Sequence, residues 1–551
     1  MRKRIIAGIV LSAAVLCGLW AVRMAGGGKN NKVKEFTAFF DVSGIETDED
    51  NEIMELIAQK IGARCREQWL VGNSSEEAVA SFIASGEYTD FISGSVALYE
   101  AGALIPIDQY WDNYPNIKNF LPKEKWETFR QPDGHIYWIP QFGVVHGKAV
   151  EMLHEGEAFW IQTRVLKWAG YPQIRTLAEY FELLEAYAAA NPVMEDPYHP
   201  GESMQNIPFT ILCDDWRYFC MENPPQFLDG YPNDGSCMVD PQTQTVLDYN
   251  TSETARRYFG KLNEEYNKGI IDKEFFTQSY QEYLQKIASG RVLGMVDQWW
   301  QFAYYANGSL ERMSTQGCGY VPLPITMDKD IKNQWHVERG AELNVADGIS
   351  ITVSCDDIEG AMKFINDLLD EEIIKLRYWG VEGVDYEVYE NGVYYRTQAQ
   401  RNMVRNQEYR AAHLCMYSYF PRIEGMLSDG INAFSPEYQA DEFFEALAPD
   451  VKECLAAYGC RSYVDMLGTN KEPGPWYPMY AYSKMLTSES EAGRVWEQME
   501  RVRKEYLPRV VMTDDFDAVW HQYMEKYAEC EPAVFFAAMQ RELERRIALA
   551  E

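Results

Sequence analysis

Basic residues are few in this chain of 551 residues. Fifty-one lysines and arginines stand against 84 aspartates and glutamates, a formal charge of −33. A nucleic acid needs a basic face to neutralise its phosphates, so the composition argues against a nucleic-acid partner. The seven histidines are scattered, and the H-E-x-x-H motif of zinc hydrolases does not occur. The sequence therefore predicts neither a metal site nor a cofactor.

Signatures of several other classes are absent as well. No fixed-period repeat marks a solenoid or a propeller, and no G-x-S-x-G motif marks a nucleophile elbow. What the chain does have is 46% apolar and 14% aromatic residues, an apolar share typical of globular proteins. Its length is sufficient for two or more lobes, each with a full-sized hydrophobic core.

The amino terminus has the pattern of an export signal. Three basic residues at 2–4 precede an uncharged run over 5–22, and small residues follow up to Gly28. We therefore predict that residues 1–28 are a signal peptide or a membrane anchor, and that the chain works at the extracellular face of the cell membrane. Three outcomes are possible for this segment: cleavage after Gly27, lipid attachment at Cys17, or retention as an anchor. Retention is possible because the uncharged run of 18 residues reaches the lower limit for spanning a bilayer.

Ten cysteines lie beyond Cys17, and none forms a C-x-x-C pair. An exported chain can form disulfides, but this density is far below that of a disulfide scaffold. We interpret the ten as buried thiols. A bridge among Cys213, Cys220 and Cys237 is the alternative.

Short β-rich runs alternate with helices that carry recognisable start signals. A strand is expected over 33–40, and the helix after it ends at Gly62. Further strand-like runs cover 209–212, 292–296 and 349–353. Capping patterns predict helix starts at 176–179, 250–253, 279–282 and 354–357. Strands that alternate with helices of this length indicate an α/β protein.

The acidic run over 47–52 has two interpretations. As a calcium loop counted from Asp48 it fails, because Ile53 stands where glycine is needed and Gln59 stands where a bidentate glutamate is needed. Carboxylates also suit the positive end of a helix dipole. We therefore predict a helix amino terminus here.

The order of several segments resembles a known family. They are GALIPID (102–108), WIQTR (160–164), YNKGIID (266–272), GYVPLP (319–324) and YWGVEGVDYEV (378–388). In this order they resemble the extracellular solute-binding proteins of ABC importers, in the lipoprotein branch associated with oligosaccharides. The amino terminus departs from that branch, because only Cys17 stands where a clear lipid-attachment box is expected.

The resemblance implies an α/β fold of two lobes, periplasmic-binding-protein-like and of type II, with a hinge and a central cleft. We expect residues 33–145 with 318–375 to form the first lobe, and 150–312 with 380–551 to form the second, which ends in a helical region. The implied function is capture of an oligosaccharide and delivery to the transmembrane subunits of an ABC permease, by a monomer that is not an enzyme.

Candidate ligand contacts lie where strands end. A sugar has an apolar face and a rim of hydroxyls, so an aromatic plate with polar groups at its edge suits it. Asp297, Trp299 and Trp300 follow a strand-like run, at the end that faces the crevice of an open α/β lobe. Because adjacent side chains diverge, we expect only one of the two tryptophans to face the ligand and the other to pack in the core.

The remaining candidates each have a structural alternative. Asp215 and Trp216 follow another strand-like run but equally fit a helix start. The resemblance places Trp138 and Gln141 in the first crossing between lobes, where a hinge role competes with ligand contact. Ser93 and Asp41 are strand-end positions of the first lobe that can be purely structural.

Two other functions compete with solute binding. A secreted glycoside hydrolase or lyase is also acidic, aromatic-rich and exported, and the sequence alone does not exclude the pair of carboxylates it needs. It does lack the eight strand–helix units of a barrel enzyme. A surface adhesin predicts tandem β modules and Thr/Pro stalks, and neither is found.

Overall fold

The computed structural model describes residues 33–42, 44, 47–71, 74–148, 151–232, 235–338 and 343–550. The predicted signal or anchor over 1–28, Cys17 included, lies outside these ranges. Within them, no helix combines the length and the apolar character that a membrane crossing requires. All ten cysteines beyond Cys17 are described as free thiols, and nine of them are buried.

The first sheet has four strands and mixed directions. Strand Lys34–Phe40 pairs in parallel with Ala63–Trp69 on one side and with Phe91–Gly94 on the other. Strand Gly348–Ile351 completes the sheet, antiparallel to Phe91–Gly94 with Gly348 opposite Gly94. The carboxyl ends of the three parallel strands therefore lie at one edge of the sheet.

The second sheet also has four strands. Strand Glu157–Gln162 lies between Tyr320–Leu323 and Val292–Gln298 and is antiparallel to both. Strand Ile207–Ile211 pairs in parallel with the outer side of Val292–Gln298. Every residue of Val292–Gln298 and of Glu157–Gln162 is buried, as expected for central strands with both faces covered.

Short strand pairs and helices complete the fold. The short pairs are Val145–His146 with Glu424–Gly425, Val193–Glu195 with Ser203–Gln205, Met238–Asp240 with Thr245–Leu247, and Glu387–Val388 with Tyr394–Tyr395. The α-helices in chain order are Glu52–Ile61, Ser75–Ser85, Val96–Glu100, Pro115–Lys118, Lys123–Trp126, Thr163–Trp168, Leu177–Ala190, Phe219–Glu222, Pro224–Leu228, Glu253–Lys268, Tyr280–Ala288, Trp299–Arg312, Ile358–Leu368, Glu371–Tyr378, Gln398–Arg405, Gln407–His413, Ala440–Ala446, Pro449–Ala457, Tyr463–Leu467, Tyr480–Ser483, Glu491–Met512, Phe516–Glu529 and Ala533–Ala550. Short 3₁₀ turns are Ile107–Gln109, Trp111–Asn113, Glu127–Phe129, Asp215–Tyr218, Ser314–Gln316 and Pro436–Tyr438.

Two predicted helix starts are confirmed as capping boxes. The side chain of Thr176 accepts a hydrogen bond from the backbone N–H of Glu179, and that of Ser279 accepts one from the backbone N–H of Glu282. In return, each glutamate side chain accepts a hydrogen bond from the backbone N–H of its capping residue. The helix amino terminus predicted in the acidic run is confirmed too, because Asn51 caps Glu52–Ile61.

The other two predicted starts are shifted. Ser252, not Asn250, caps Glu253–Lys268, and its hydroxyl accepts a hydrogen bond from the backbone N–H of Ala255. Asp357, not Ser354, caps Ile358–Leu368. In both places another side chain with a suitable oxygen lies closer to the helix.

Each sheet is the centre of its own hydrophobic core, and the chain has three main crossings between the two cores. The first core receives residues from Phe36 to Val144, and the second core receives those from Leu153 to Trp335. The chain then returns to the first core over 343–427, and the rest of it belongs mainly to the second core, apart from Phe434 and Ala481, which are buried in the first. This is the two-lobed α/β architecture expected from the sequence.

The division of the chain differs from the expected one in its later parts. Residues 318–335 were expected in the first lobe, but Tyr320–Leu323 is an edge strand of the second sheet. Residues 380–427 were expected in the second lobe, but Cys415, Phe420 and Leu427 are buried in the first core. The edge strand and the later return to the first core depend on long-range pairing, which local sequence patterns do not reveal.

The first and third crossings pair with each other. Strand Val145–His146 runs parallel to Glu424–Gly425, with Val145 opposite Glu424. Gly425 has a φ of 95°, and a side chain there would collide with the carbonyl of His146. Glycine is therefore required where the two crossing segments touch. The second crossing is bound separately, since the N–H of Glu338 donates to the carbonyl of Asn470 at 2.8 Å.

The carboxyl-terminal helices are attached to the second lobe by a buried amide. The Nδ2 of Asn263 donates to the carbonyls of Val510, Val511 and Thr513 at 2.7–3.1 Å, where helix Glu491–Met512 ends. The last carbonyls of a helix have no partner within the helix. Asn263 therefore supplies hydrogen bonds that this helix end would otherwise lack.

We expect Asn263→Ala to destabilise the protein by about 1–3 kcal/mol, because buried carbonyls would lose their donor. Asn267→Ala, one helical turn away, is the matched control. Asn267 is exposed and donates only to Thr513, at 3.2 Å. Chemical denaturation measures both variants. Equal losses from the two would contradict this role for Asn263.

Candidate ligand-binding site between the lobes

A large cleft of about 2190 Å³ lies between the two lobes. From the first lobe it is lined by residues at or next to the ends of parallel strands, such as Asp41, Trp69 and Ser93. From the second lobe it is lined by Trp299 and Trp300, which follow strand Val292–Gln298 directly. Both sheets thus present their carboxyl-terminal edges to one space, the usual ligand position in open α/β sheets.

Trp300 and Trp216 form an aromatic surface on the second lobe. Their rings lie 5.9 Å apart at 17° to each other, and Trp216 also stacks on Phe219 at 6.0 Å and 26°. Trp300 and Trp216 are half-buried and line the cleft. The two nearly parallel indoles give the cleft a flat apolar wall.

Trp299 differs from its neighbour. It is only 8% exposed, and its ring packs edge-on against Tyr304 with 4.9 Å between centroids. Its backbone N–H donates to the carbonyl of Glu155 at 3.1 Å, which joins the start of helix Trp299–Arg312 to the segment before the central strand. Both tryptophans line the cleft, but Trp300 is the more accessible of the two.

The first lobe contributes a second aromatic group, formed by Trp69, Phe142 and Tyr419. The ring of Tyr419 meets those of Trp69 and Phe142 edge-to-face at 5.3 and 5.4 Å. Gln141 lines the cleft beside them, and its Nε2 donates to the carbonyl of Tyr419 at 2.6 Å. Phe142 is 40% exposed. Aromatic faces therefore reach the cleft from both lobes.

The remaining polar candidates of the cleft have distinct settings. Asp41 accepts a hydrogen bond from the Oγ of Ser75 at 2.6 Å. The Oγ of Ser93 is buried and has no partner among the described residues. Asp215 is exposed and has a φ of 53°, a conformation that few residues other than glycine adopt. All three line the cleft.

Two sequence-predicted site residues do not line the cleft. Trp138 is fully buried in the first core, where its Nε1 donates to the carbonyl of Val345 at 3.0 Å. Asp297 is also fully buried, and it accepts hydrogen bonds from Tyr283 at 2.5 Å and Gln301 at 2.6 Å. The direct ligand contact expected of both is therefore corrected to a position behind the cleft surface.

Burial gives Asp297 an unusual proton affinity. Desolvation raises the pKa of its carboxyl to about 7, against the opposing effect of the hydrogen bond from Tyr283. Asp297 lies at the end of strand Val292–Gln298, two residues before Trp299. It is thus part of the support of the aromatic wall.

Several residues that line the cleft are not among the predicted site residues. Trp69 ends a parallel strand, so the rule that found Asp41 and Ser93 would also have found it. Phe142 follows the predicted Gln141 directly. Tyr419 lies in an irregular segment after helix Gln407–His413 and has no local signal. In the ranges that the structure describes, no cluster of three or more His, Cys, Asp or Glu residues is arranged to hold a metal ion.

Comparison with solved structures gives the fold a clear counterpart. The chain is similar to the ABC-transporter substrate-binding protein FusA of Streptococcus pneumoniae in complex with kestose, with a TM-score of 0.64 and 18% identity over 94% of this chain and 100% of that one. It is similar to the alginate-binding protein AlgQ2, with a TM-score of 0.61 and 17% identity over 93% and 98%. A third is an HMO-binding, ABC-transporter-associated solute-binding protein of Bifidobacterium longum infantis, with a TM-score of 0.61 and 15% identity over 94% and 99%.

These similarities show that the chain has the two-lobed fold of solute-binding proteins over nearly its whole length, as the sequence predicted. A scan against protein-family models finds no match, and neither does a search of curated protein sequences. At sequence identities of 15–18%, these similarities show the fold of this chain but do not identify its ligand.

The raised pKa of Asp297 predicts a pH dependence of stability. Between the pKa of an unfolded aspartate, about 4, and about 7, only the folded protein holds this proton, so stability should decrease as the pH rises through that range. Asp297→Asn should remove the part of this decrease that comes from the buried carboxyl. Thermal unfolding at pH 4 to 8 measures it.

Asp517→Asn is the control for this experiment. Asp517 is an exposed carboxylate on helix Phe516–Glu529. It forms an ion pair of 2.7 Å with Arg256 on helix Glu253–Lys268. The control should keep the pH profile of the wild type. If Asp297→Asn also keeps it, the buried carboxyl does not titrate as described.

Proposed function

We propose that this chain is the extracellular substrate-binding component of an ABC importer, which captures an oligosaccharide in the interlobe cleft and delivers it unaltered to a membrane permease. The observation that carries the proposal is a large cleft with aromatic faces from both lobes. The similar solved structures include proteins whose names record binding of alginate, kestose and HMO. An aromatic ring offers a flat apolar surface to the face of a sugar ring.

In this proposal the ligand contacts are made by Trp300 and Trp216, with Trp299 at their margin. Asp215 is next to Trp216 in the chain, and Gln141, Ser93 and Asp41 line the same cleft from the first lobe. These side chains supply donors and acceptors for the hydroxyl groups at the rim of a sugar. We do not include Trp138 and Asp297, which lie behind the surface.

Closure of the lobes links binding to delivery. A ligand that touches both lobes favours the closed state only by the difference in its affinity for closed and open forms. A shift from 1:99 to 99:1 takes about 5.5 kcal/mol of such a difference. The paired crossing segments at Val145 and Glu424 are a suitable hinge, because a short ribbon bends without breaking either core.

Export and attachment to the membrane through residues 1–28 belong to the same proposal, as does function as a monomer. An exported binder that hands its ligand to a permease needs to stay near the membrane. The basic residues and the apolar run of that segment support export.

We expect Trp300→Ala and Trp216→Ala each to weaken oligosaccharide binding by about five- to thirtyfold, because each removes an aromatic face worth about 1–2 kcal/mol. Trp168→Ala is the control, since Trp168 is 49% exposed and packs against Tyr187 outside the cleft. Residues 33–551 are titrated calorimetrically with neutral tetrasaccharides of glucose, mannose, xylose and fructose, and with an oligouronate.

The same samples are analysed by chromatography after incubation. The proposal expects binding with the sugar recovered at its original length. Release of shorter sugars would instead support the hydrolase or lyase alternative. Equal affinities of the three variants and the wild type would remove the tryptophans from the binding site.

A further inference from the structure

Arg217 is a buried cation at the surface of the cleft. It is 8% exposed, and it lies in the short turn Asp215–Tyr218 beside Trp216. Among the described residues its guanidinium forms no ion pair with a carboxylate, and its Nε is buried without a hydrogen-bond partner. A buried charge without a paired carboxylate is costly. Such a group calls for a functional explanation.

Aromatic rings take the place of a carboxylate. The guanidinium carbon lies 3.9 Å from the ring centre of Tyr280 and 4.5 Å from that of Trp216. A planar guanidinium stacks on aromatic faces better than the compact ammonium of lysine does. Arg217 therefore joins the ring of Tyr280 to the aromatic wall formed by Trp216 and Trp300.

Tyr280 is itself a fixed support. Its hydroxyl donates to the carbonyl of Gln301 at 2.5 Å, and its backbone N–H donates to Asp214 Oδ2 at 2.8 Å. The N–H of Arg217 donates to the carbonyl of Asp214 at 3.1 Å. Asp214 thus ties the turn that carries Arg217 to the first residue of helix Tyr280–Ala288. The arginine is held at its backbone and at its guanidinium.

We propose that Arg217 is a specificity-determining residue of the cleft, whose guanidinium holds Trp216 parallel to Trp300 and donates N–H groups to hydroxyl oxygens at the rim of a bound sugar ring. The proposal rests on the proposed oligosaccharide function for its second part only. A guanidinium suits both tasks, because its flat face packs on indole while its edge carries five donors.

The positioning role is tested first on the protein without ligand. The exciton signal of the Trp216–Trp300 pair is isolated as the difference between circular dichroism spectra of each protein and its Trp300→Phe form. Arg217→Met should reduce this difference signal by half or more, and Arg217→Lys should reduce it as well. Arg461→Met is the control, since Arg461 lies 4.7 Å over the ring of Phe444 outside the cleft.

Ligand binding tests the second role. With the tetrasaccharide that the wild type binds most tightly, Arg217→Met and Arg217→Lys should each bind about tenfold more weakly, while Arg461→Met should bind as the wild type does. Full affinity in Arg217→Lys would overturn the hydrogen-bonding role, because the charge alone would then suffice, whereas the positioning role is decided by the spectra. Should Arg217→Met fail to fold, Arg217→Lys decides.

The two arms separate this proposal from the function on which it rests. If the wild type binds no sugar of the panel, the oligosaccharide function fails, and the spectra alone decide whether Arg217 positions Trp216. If the wild type binds and the Arg217 variants keep both the exciton signal and an affinity within twofold, the function stands and the role of Arg217 is overturned.

Discussion

The separation of the apolar side chains into two cores is the constraint on which the cleft depends. Each core is built around its own four-stranded sheet, and the chain returns to each core after visiting the other. Neither lobe is therefore complete until the distant part of the chain arrives. The space between the cores stays open, although each lobe buries most of its apolar side chains in its own core. A cleft that two separate bodies enclose can change its width while both cores remain intact.

The aromatic wall of the cleft owes its rigidity to the buried strand and the hydrogen bonds that lie behind it. Trp299 and Trp300 begin a helix directly after the buried central strand, so their backbone positions are set by the sheet. Asp297 ties the end of that strand to Tyr283 and to Gln301 in the first turn of the helix. Burial in this network removes water from the carboxyl of Asp297, and this desolvation raises the pKa of Asp297. A site that is organised before its ligand arrives spends less of its binding energy on ordering.

Local patterns predicted local structure well. The boxes at Thr176 and Ser279, the stop at Gly62 and the strand before Trp299 each depend on a few neighbouring residues, and each is where the sequence placed it. The strand-end rule also led to real lining residues of the cleft, because parallel strands put their carboxyl ends at one edge.

Features that depend on contacts between residues far apart in the sequence were not predicted from local patterns. The placement of 318–335 in the second lobe depends on pairing with a strand some 160 residues earlier. Asp297 and Trp138 have the right position along the chain for a ligand contact, but their side chains point into the cores, which only the packed structure determines. Tyr419 joins the cleft from an irregular segment for the same reason.

The central claim is that ligand closes two hinged lobes, and small-angle X-ray scattering of residues 33–551 tests it most directly. Curves are compared without sugar and with a saturating amount of the tetrasaccharide that calorimetry identifies as the tightest ligand. The account predicts a smaller radius of gyration in the saturated sample. Superimposable curves at full saturation would contradict it.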